Sequence, residues 1–139
     1  MNTTSLRQMT AHNNLHALLF NATSAEYMVM TMQMYQLARR VVTERLAQRI
    51  FRKPVVILDL DETILNNAAY QAWLIRTGSN YADSTWNEWC DAYEAEAVPG
   101  AIEFVLFVQH AGVTPIFIPV AITKLGQAHV KFVQAGPHL

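Results

Sequence analysis

The sequence predicts an α/β fold built around a parallel sheet, and three observations carry that prediction. Val55-Val56-Ile57-Leu58 is an apolar run that ends abruptly in Asp59, Asp61 and Glu62. Runs of this kind mark strands buried on both faces of a helix-covered parallel sheet. Helical patterns lie on either side of it, and a second short apolar run, Val113 to Ile118, completes the order of a βαβ unit. The carboxylates at the end of the first run need a physical reason. Aspartate is rarely buried unless paired or bound to a cation, and open α/β sheets bind their ligands beyond the carboxyl ends of their strands.

Composition sets the bounds. A chain of 139 residues with 52% hydrophobic content has enough apolar surface for one packed domain. A formal net charge of -1 provides no field for nucleic acid or an anionic membrane, so neither is expected as a partner. The lone cysteine, Cys90, excludes an internal disulfide and a multi-cysteine zinc site. The opening MNTTSLRQMTAHNNLHALLF lacks the basic cluster and sustained apolar core of a signal peptide, and no run reaches transmembrane length. As written, the chain is expected to be cytoplasmic.

Residues 1–22 read as a loose polar terminus. His12 and His16 stand four apart, but the glutamate of a zinc-binding H-E-x-x-H helix is missing. Thr23-Ser24-Ala25-Glu26 fits a capping box and predicts a long helix over 23–50. Its apolar stripe would be Tyr27, Met30, Met34, Leu37 and Val41, with the methionines as core filler. Arg52-Lys53-Pro54 breaks that helix, and the central strand follows over 54–60. Residues 66–97 read as helices, the first closed near Gly78 and the second opened by a capping box at Thr85 to Glu88. Trp86, Trp89 and Tyr93 follow that box at helical spacing. Val98-Pro99-Gly100 is a turn, and residues 99–118 supply a crossover helix closed by Gly112 and then the second strand. Pro115 interrupts this strand, and the tail 119–139 shows weak periodicity.

Two aspartates separated by one residue, with Thr63 two positions further on, suit a carboxylate nucleophile beside an acid/base. Asp59 would attack phosphorus. Asp61 would protonate the leaving oxygen and then deprotonate the attacking water. Phosphate and carboxylate repel each other, and a Mg²⁺ held by Asp59 and the Asp61 backbone carbonyl would relieve the repulsion. An EF-hand calcium loop fails on the same letters, because Ile64 and Tyr70 stand where glycine and glutamate are required. The plainer alternative is a solvated turn whose aspartates cap the next helix. An apolar strand leading straight into D-L-D-E-T favours chemistry.

The run I57-L58-D59-L60-D61-E62-T63-I64-L65, followed by Asn67 and Tyr70, resembles the first signature of the bacterial class C acid phosphatases. These are haloacid-dehalogenase (HAD)-like phosphomonoesterases that include outer-membrane lipoproteins acting on nucleotides. Thr23 to Tyr27, Tyr70 to Leu74, Trp86 to Trp89 and Val98 to Ala101 also look like that family, so the resemblance covers about residues 15–118. It implies a HAD-like parallel sheet with a helical cap. It further implies Asp59 as nucleophile, Asp61 as acid/base, both at a Mg²⁺ site, and a phosphomonoester such as a nucleoside monophosphate as substrate. Thr63, Tyr70, Trp73, Trp86 and Trp89 would be substrate-binding, although packing within the cap explains each aromatic equally well. The family's compartment would be the periplasm or outer membrane.

The resemblance stops at Pro119. The serine or threonine with Asn-Arg expected after Ile118 is replaced by Pro119-Val120-Ala121, and Lys124 and Lys131 lie in no matching context. The expectation is therefore a truncated HAD-like domain over 23–118, with a frameshifted or unrelated tail and weak or no phosphatase activity alone. A second copy supplying missing parts in a homo-oligomer, and a non-enzymatic fragment that binds a nucleotide or a partner, are the competing expectations.

Overall fold

A computed structural model describes residues 14–50 and 52–118. The described chain is mixed α/β, as predicted, with five helices and four strands among the described residues. It forms two compact units: residues 25–66 with 96–118, containing the parallel sheet, and residues 14–24 with 67–95, all helical.

In the sheet unit, α2 (Ala25–Ala47) leads to β1 (Val55–Asp59), and α5 (Ala101–His110) leads to β4 (Thr114–Ile118). β1 and β4 pair in parallel, from Val55 opposite Thr114 to Asp59 opposite Ile118, and the Thr114 amide donating to the Pro54 carbonyl opens the ladder. Pro115 is tolerated because β4 is an edge strand among the described residues. A ribbon absent from the sequence reading joins β2 (Leu65–Asn66) antiparallel to β3 (Glu96–Ala97). These two-residue strands are too short to carry a pattern.

The core of this unit comes chiefly from α5, whose Ala101, Phe104, Val105 and Val108 are buried, together with Leu58, Leu60, Ile64 and Val113. α2 packs on α5 through the Tyr35 and Phe104 rings, 5.5 Å apart, and through the Arg39 guanidinium lying 4.6 Å from the Phe107 ring centroid. Gly100 permits the approach. Its φ of 88° is left-handed, and a Cβ there would sit 3.1 Å from the Tyr35 ring and 3.3 Å from the Met32 Cα.

Two expectations about this unit are corrected. β1 is covered unevenly: Leu58 is buried, but Val55 and Ile57 are 50% and 62% exposed. The inward line of α2 shares Tyr27 with the predicted stripe but beyond it runs one position away. Tyr27, Thr31, Tyr35, Ala38 and Val42 are half-buried, whereas Met30, Met34, Leu37 and Val41 are exposed. The approach at Gly100 sets the helix rotation by drawing Tyr35 inward.

In the helical unit, α1 (Leu15–Thr23) packs against α3 (Ala68–Thr77), and α4 (Asp83–Ala92) follows. Residues 15–22 were expected to be loose, and this tertiary contact makes them helical; residues 1–13 and the tail 119–139, with His12, Lys124 and Lys131, lie outside the described residues. Neither predicted capping threonine stands at the N-cap of its helix. Thr23 is the last residue of α1, and its hydroxyl donates to the Leu19 carbonyl, 2.8 Å away. The Thr85 hydroxyl lies inside α4, 3.0 Å from the Ala82 carbonyl. Gly78 does close α3 in the left-handed conformation.

Gly100→Ala is expected to destabilise the protein by about 1–3 kcal/mol, from the positive φ and the crowding against α2 together. Gly78→Ala, with nothing within 4 Å of the added carbon, is expected to cost less. Urea unfolding of the two variants beside the parent checks the order.

Candidate active site

Asp59 is the last residue of β1 and is exposed; its position is fixed by pairing with Ile118. Beyond it the chain closes a tight loop. Leu60 is 1% exposed, and its carbonyl accepts from the amides of Thr63 (3.3 Å), Ile64 (2.9 Å) and Leu65 (2.9 Å). The Glu62 amide returns to the Leu65 carbonyl at 2.8 Å, and Asp61 bridges to Leu65. Glu62 takes a left-handed φ of 56°, which is uncommon for a residue with a side chain. The Val98 amide donates to the Ile64 carbonyl at 2.9 Å and ties the far side of the loop to the segment ahead of α5. Asp59, Asp61 and Thr63 are thus gathered at one strand end on a braced loop.

A further brace went unseen in the sequence. The Tyr35 hydroxyl, from α2, donates to the Thr63 carbonyl. Burial pushes the Tyr35 phenol up to about 12, with neighbouring Tyr27 adding to the shift. Tyr27 is itself raised, first by burial and then by the Glu62 carboxylate. Tyr27 belongs to the predicted stripe, but Tyr35 carries no local motif. Tyr35 fell outside the predicted stripe, and only the helix rotation reveals its role.

The four aromatics predicted to bind substrate lie in the helical unit and form one cluster there. Tyr70 is its hub, 2% exposed, with ring centroids of Trp86, Trp73 and Trp89 at 5.1, 6.0 and 6.1 Å. The Tyr70 and Thr85 hydroxyls share a 2.9 Å hydrogen bond. Trp89 Nε1 donates to Oδ1 of the fully buried Asn67 at 2.9 Å. Tyr70 is therefore committed to packing, while the three tryptophans remain half-buried. Asn67, noted in sequence only as part of a motif, is the polar anchor of the cluster.

The hard oxygens of Asp59 and Asp61 suit Mg²⁺, which commonly takes one or two protein carboxylates and completes its shell with water and phosphate. Among the described residues no group of three or more histidine, cysteine, aspartate or glutamate side chains comes together as a metal cage.

A family model described as HAD superfamily, subfamily IIIB (acid phosphatase), matches residues 1–119. The chain belongs to this family. Two solved structures of the class C acid phosphatase from Bacillus anthracis, one with tungstate bound, are similar to it at 32% identity and a TM-score of 0.85. They cover 94% of this chain, which spans 55–56% of theirs, so it extends over about half the length of these relatives. The fold is accordingly HAD-like, and the family match ends within a residue of Ile118, where the motif resemblance also stops. Among the described residues no helix is long and apolar enough to cross a membrane.

Tyr35→Phe is expected to remove a late-titrating phenol. The neutral form is favoured in the fold, so its stabilisation is fully present below the ordinary value near pH 10 and is lost as pH rises through about 12. Ultraviolet titration of tyrosinate should show the latest component vanish in the variant. At neutral pH the variant is expected to lose about 1 kcal/mol in urea unfolding.

Proposed function

We propose that the chain carries the nucleophile half of a Mg²⁺-dependent phosphomonoesterase that works through an aspartyl-phosphate. The arrangement of Asp59 and Asp61 carries this reading: one ends the parallel strand, and the other sits two residues on in the loop held by the Leu60 carbonyl. Family membership supports it, as does the tungstate held by the Bacillus anthracis relative, a tetrahedral oxyanion like phosphate.

In the first step an Asp59 carboxylate oxygen attacks phosphorus, and the bond from phosphorus to the ester oxygen breaks while Asp61 gives that oxygen its proton. In the second step Asp61 takes a proton from water, and the hydroxide attacks phosphorus. The bond from phosphorus to Asp59 then breaks, which releases phosphate and restores both carboxyl groups. Thr63 hydrogen-bonds the phosphoryl oxygens. Mg²⁺, held by Asp59 and the Asp61 backbone carbonyl, would offset the negative charge shared by carboxylate and phosphate.

The half-buried tryptophans, braced by Tyr70, offer a surface suited to stacking a planar group such as the base of a nucleoside monophosphate. The same cluster favours a second reading, in which the helical unit binds a nucleotide without catalysis. Mg²⁺-independent quenching of tryptophan fluorescence by a nucleoside monophosphate, with no phosphate released, would favour that alternative.

Steady turnover by this chain alone is expected to be weak or undetectable, because the chain spans about half of the intact relatives. A single-turnover incubation with acetyl phosphate and Mg²⁺ should nevertheless leave a phosphoryl group on the peptide containing Asp59, detected by mass spectrometry. Asp59→Asn should abolish it. Asp61→Asn should let it accumulate, with hydrolysis slowed about 100-fold or more. An adduct that persists in Asp59→Asn would remove the nucleophile assignment.

A further inference from the structure

Charge is divided unevenly along the chain. Residues 39–53 hold Arg39, Arg40, Arg45, Arg49, Arg52 and Lys53 against Glu44 alone, six of the ten lysines and arginines, so the net charge of -1 conceals a strongly basic segment. Two of the six are engaged: Arg39 lies over the Phe107 ring, and Arg40 pairs with Glu44 at 3.1 Å. Arg45, Arg49, Arg52 and Lys53 are exposed, and among the described residues no carboxylate forms a salt bridge with any of them.

The fold gathers these four cations at one corner of the sheet unit. α2 ends at Ala47, and Arg49, at a left-handed φ of 52°, turns the chain toward β1. Arg45 and Lys53 then line the same small cleft, about 280 Å³ in volume, together with Leu46, Pro54 and Val113. Ile50 stands within this turn at 65% exposure, the most exposed large hydrophobic residue among those described.

The helix dipole accounts for Arg45, which lies in the last turn of α2. Arg49, Arg52 and Lys53 come after the helix, and the dipole gives no reason for an exposed apolar side chain among them. Cations surrounding a protruding apolar residue suit the interface of an anionic bilayer, where the cations meet lipid phosphates and the apolar side chain leaves water. A nucleic acid would use the cations but not Ile50, because its grip comes from phosphate contacts, base edges and aromatic stacking.

We infer that the turn between α2 and β1 docks on an anionic phospholipid surface, with Arg45, Arg49, Arg52 and Lys53 at the phosphates and Ile50 inserted between them. This turn lies at the amino end of β1, whereas Asp59 ends the strand about 15 Å away, with Asp61 just beyond it. Docking therefore turns the acidic corner away from the lipid and leaves it open to water. Repulsion between the bilayer and those carboxylates favours the same orientation. The contact is peripheral and independent of the chemistry assigned to Asp59.

The test is sedimentation of the full chain with vesicles of equimolar phosphatidylcholine and phosphatidylglycerol, beside vesicles of phosphatidylcholine alone. Binding to the anionic vesicles is expected to be at least tenfold stronger and to weaken as salt is added. Arg49→Gln combined with Arg52→Gln should weaken it at least tenfold, at about fivefold for each cation removed. Ile50→Ser should weaken it several-fold at every salt concentration, and Arg76→Gln, an exposed arginine of the helical unit, should leave it unchanged. Circular dichroism of each variant should match that of the parent. Three results would each overturn the inference: equal binding to neutral vesicles, anionic binding indifferent to the paired arginine substitutions, or tighter binding of a single-stranded oligonucleotide or polyglutamate that ignores Ile50→Ser.

Discussion

The carbonyl of Leu60 is the point on which the acidic corner depends. Three successive amides, those of Thr63, Ile64 and Leu65, converge on it, and its own side chain is sealed in the core. This satisfies backbone groups that would otherwise be stranded at a buried strand end. It also forces the chain to turn back within five residues. Asp59 is consequently fixed by the ladder and Asp61 by the loop, so two neighbouring carboxylates are placed by two different constraints. The strained backbone at Glu62 persists because the surrounding hydrogen bonds over-determine it.

That loop is braced by elements distant in sequence. Tyr35 reaches it from α2 and the Val98 amide from the start of β3's exit, and both depend on the packing of α2 against α5. Gly100 is the hinge of this arrangement, since a side chain there would push α2 away and carry Tyr35 with it. The same rotation of α2 that points Tyr35 at the loop turns Met30, Met34, Leu37 and Val41 outward. Bracing of the loop and exposure of these side chains are therefore two results of one helix orientation.

The helical unit solves a different problem. It buries an aromatic cluster around Tyr70 and satisfies the polar atoms the cluster brings with it, pairing the Tyr70 hydroxyl with Thr85 and the Trp89 indole with Asn67. Satisfied polar groups inside an aromatic cluster fix its geometry as well as its stability. Tyr70 is consequently a support for the tryptophans, and any recognition of a planar group falls to their half-buried faces.

Local patterns determined much of this protein without help. The apolar run into D-L-D-E-T was enough for a parallel strand ending in paired carboxylates, and Gly78 and Gly112 correctly marked helix ends, because these signals depend on a few adjacent residues. Tertiary structure decided what local pattern left open. Thr23 and Thr85 had cap-like sequences, but each hydroxyl found a nearer carbonyl within a helix. Beyond Tyr27 the stripe on α2 was misread by one position because Gly100 and Phe104, some seventy residues away, choose which face turns inward. The apolar composition of β1 stated what the strand is suited to bury, and only its neighbours in space could show that, among the described residues, it pairs with β4 alone and leaves Val55 and Ile57 exposed.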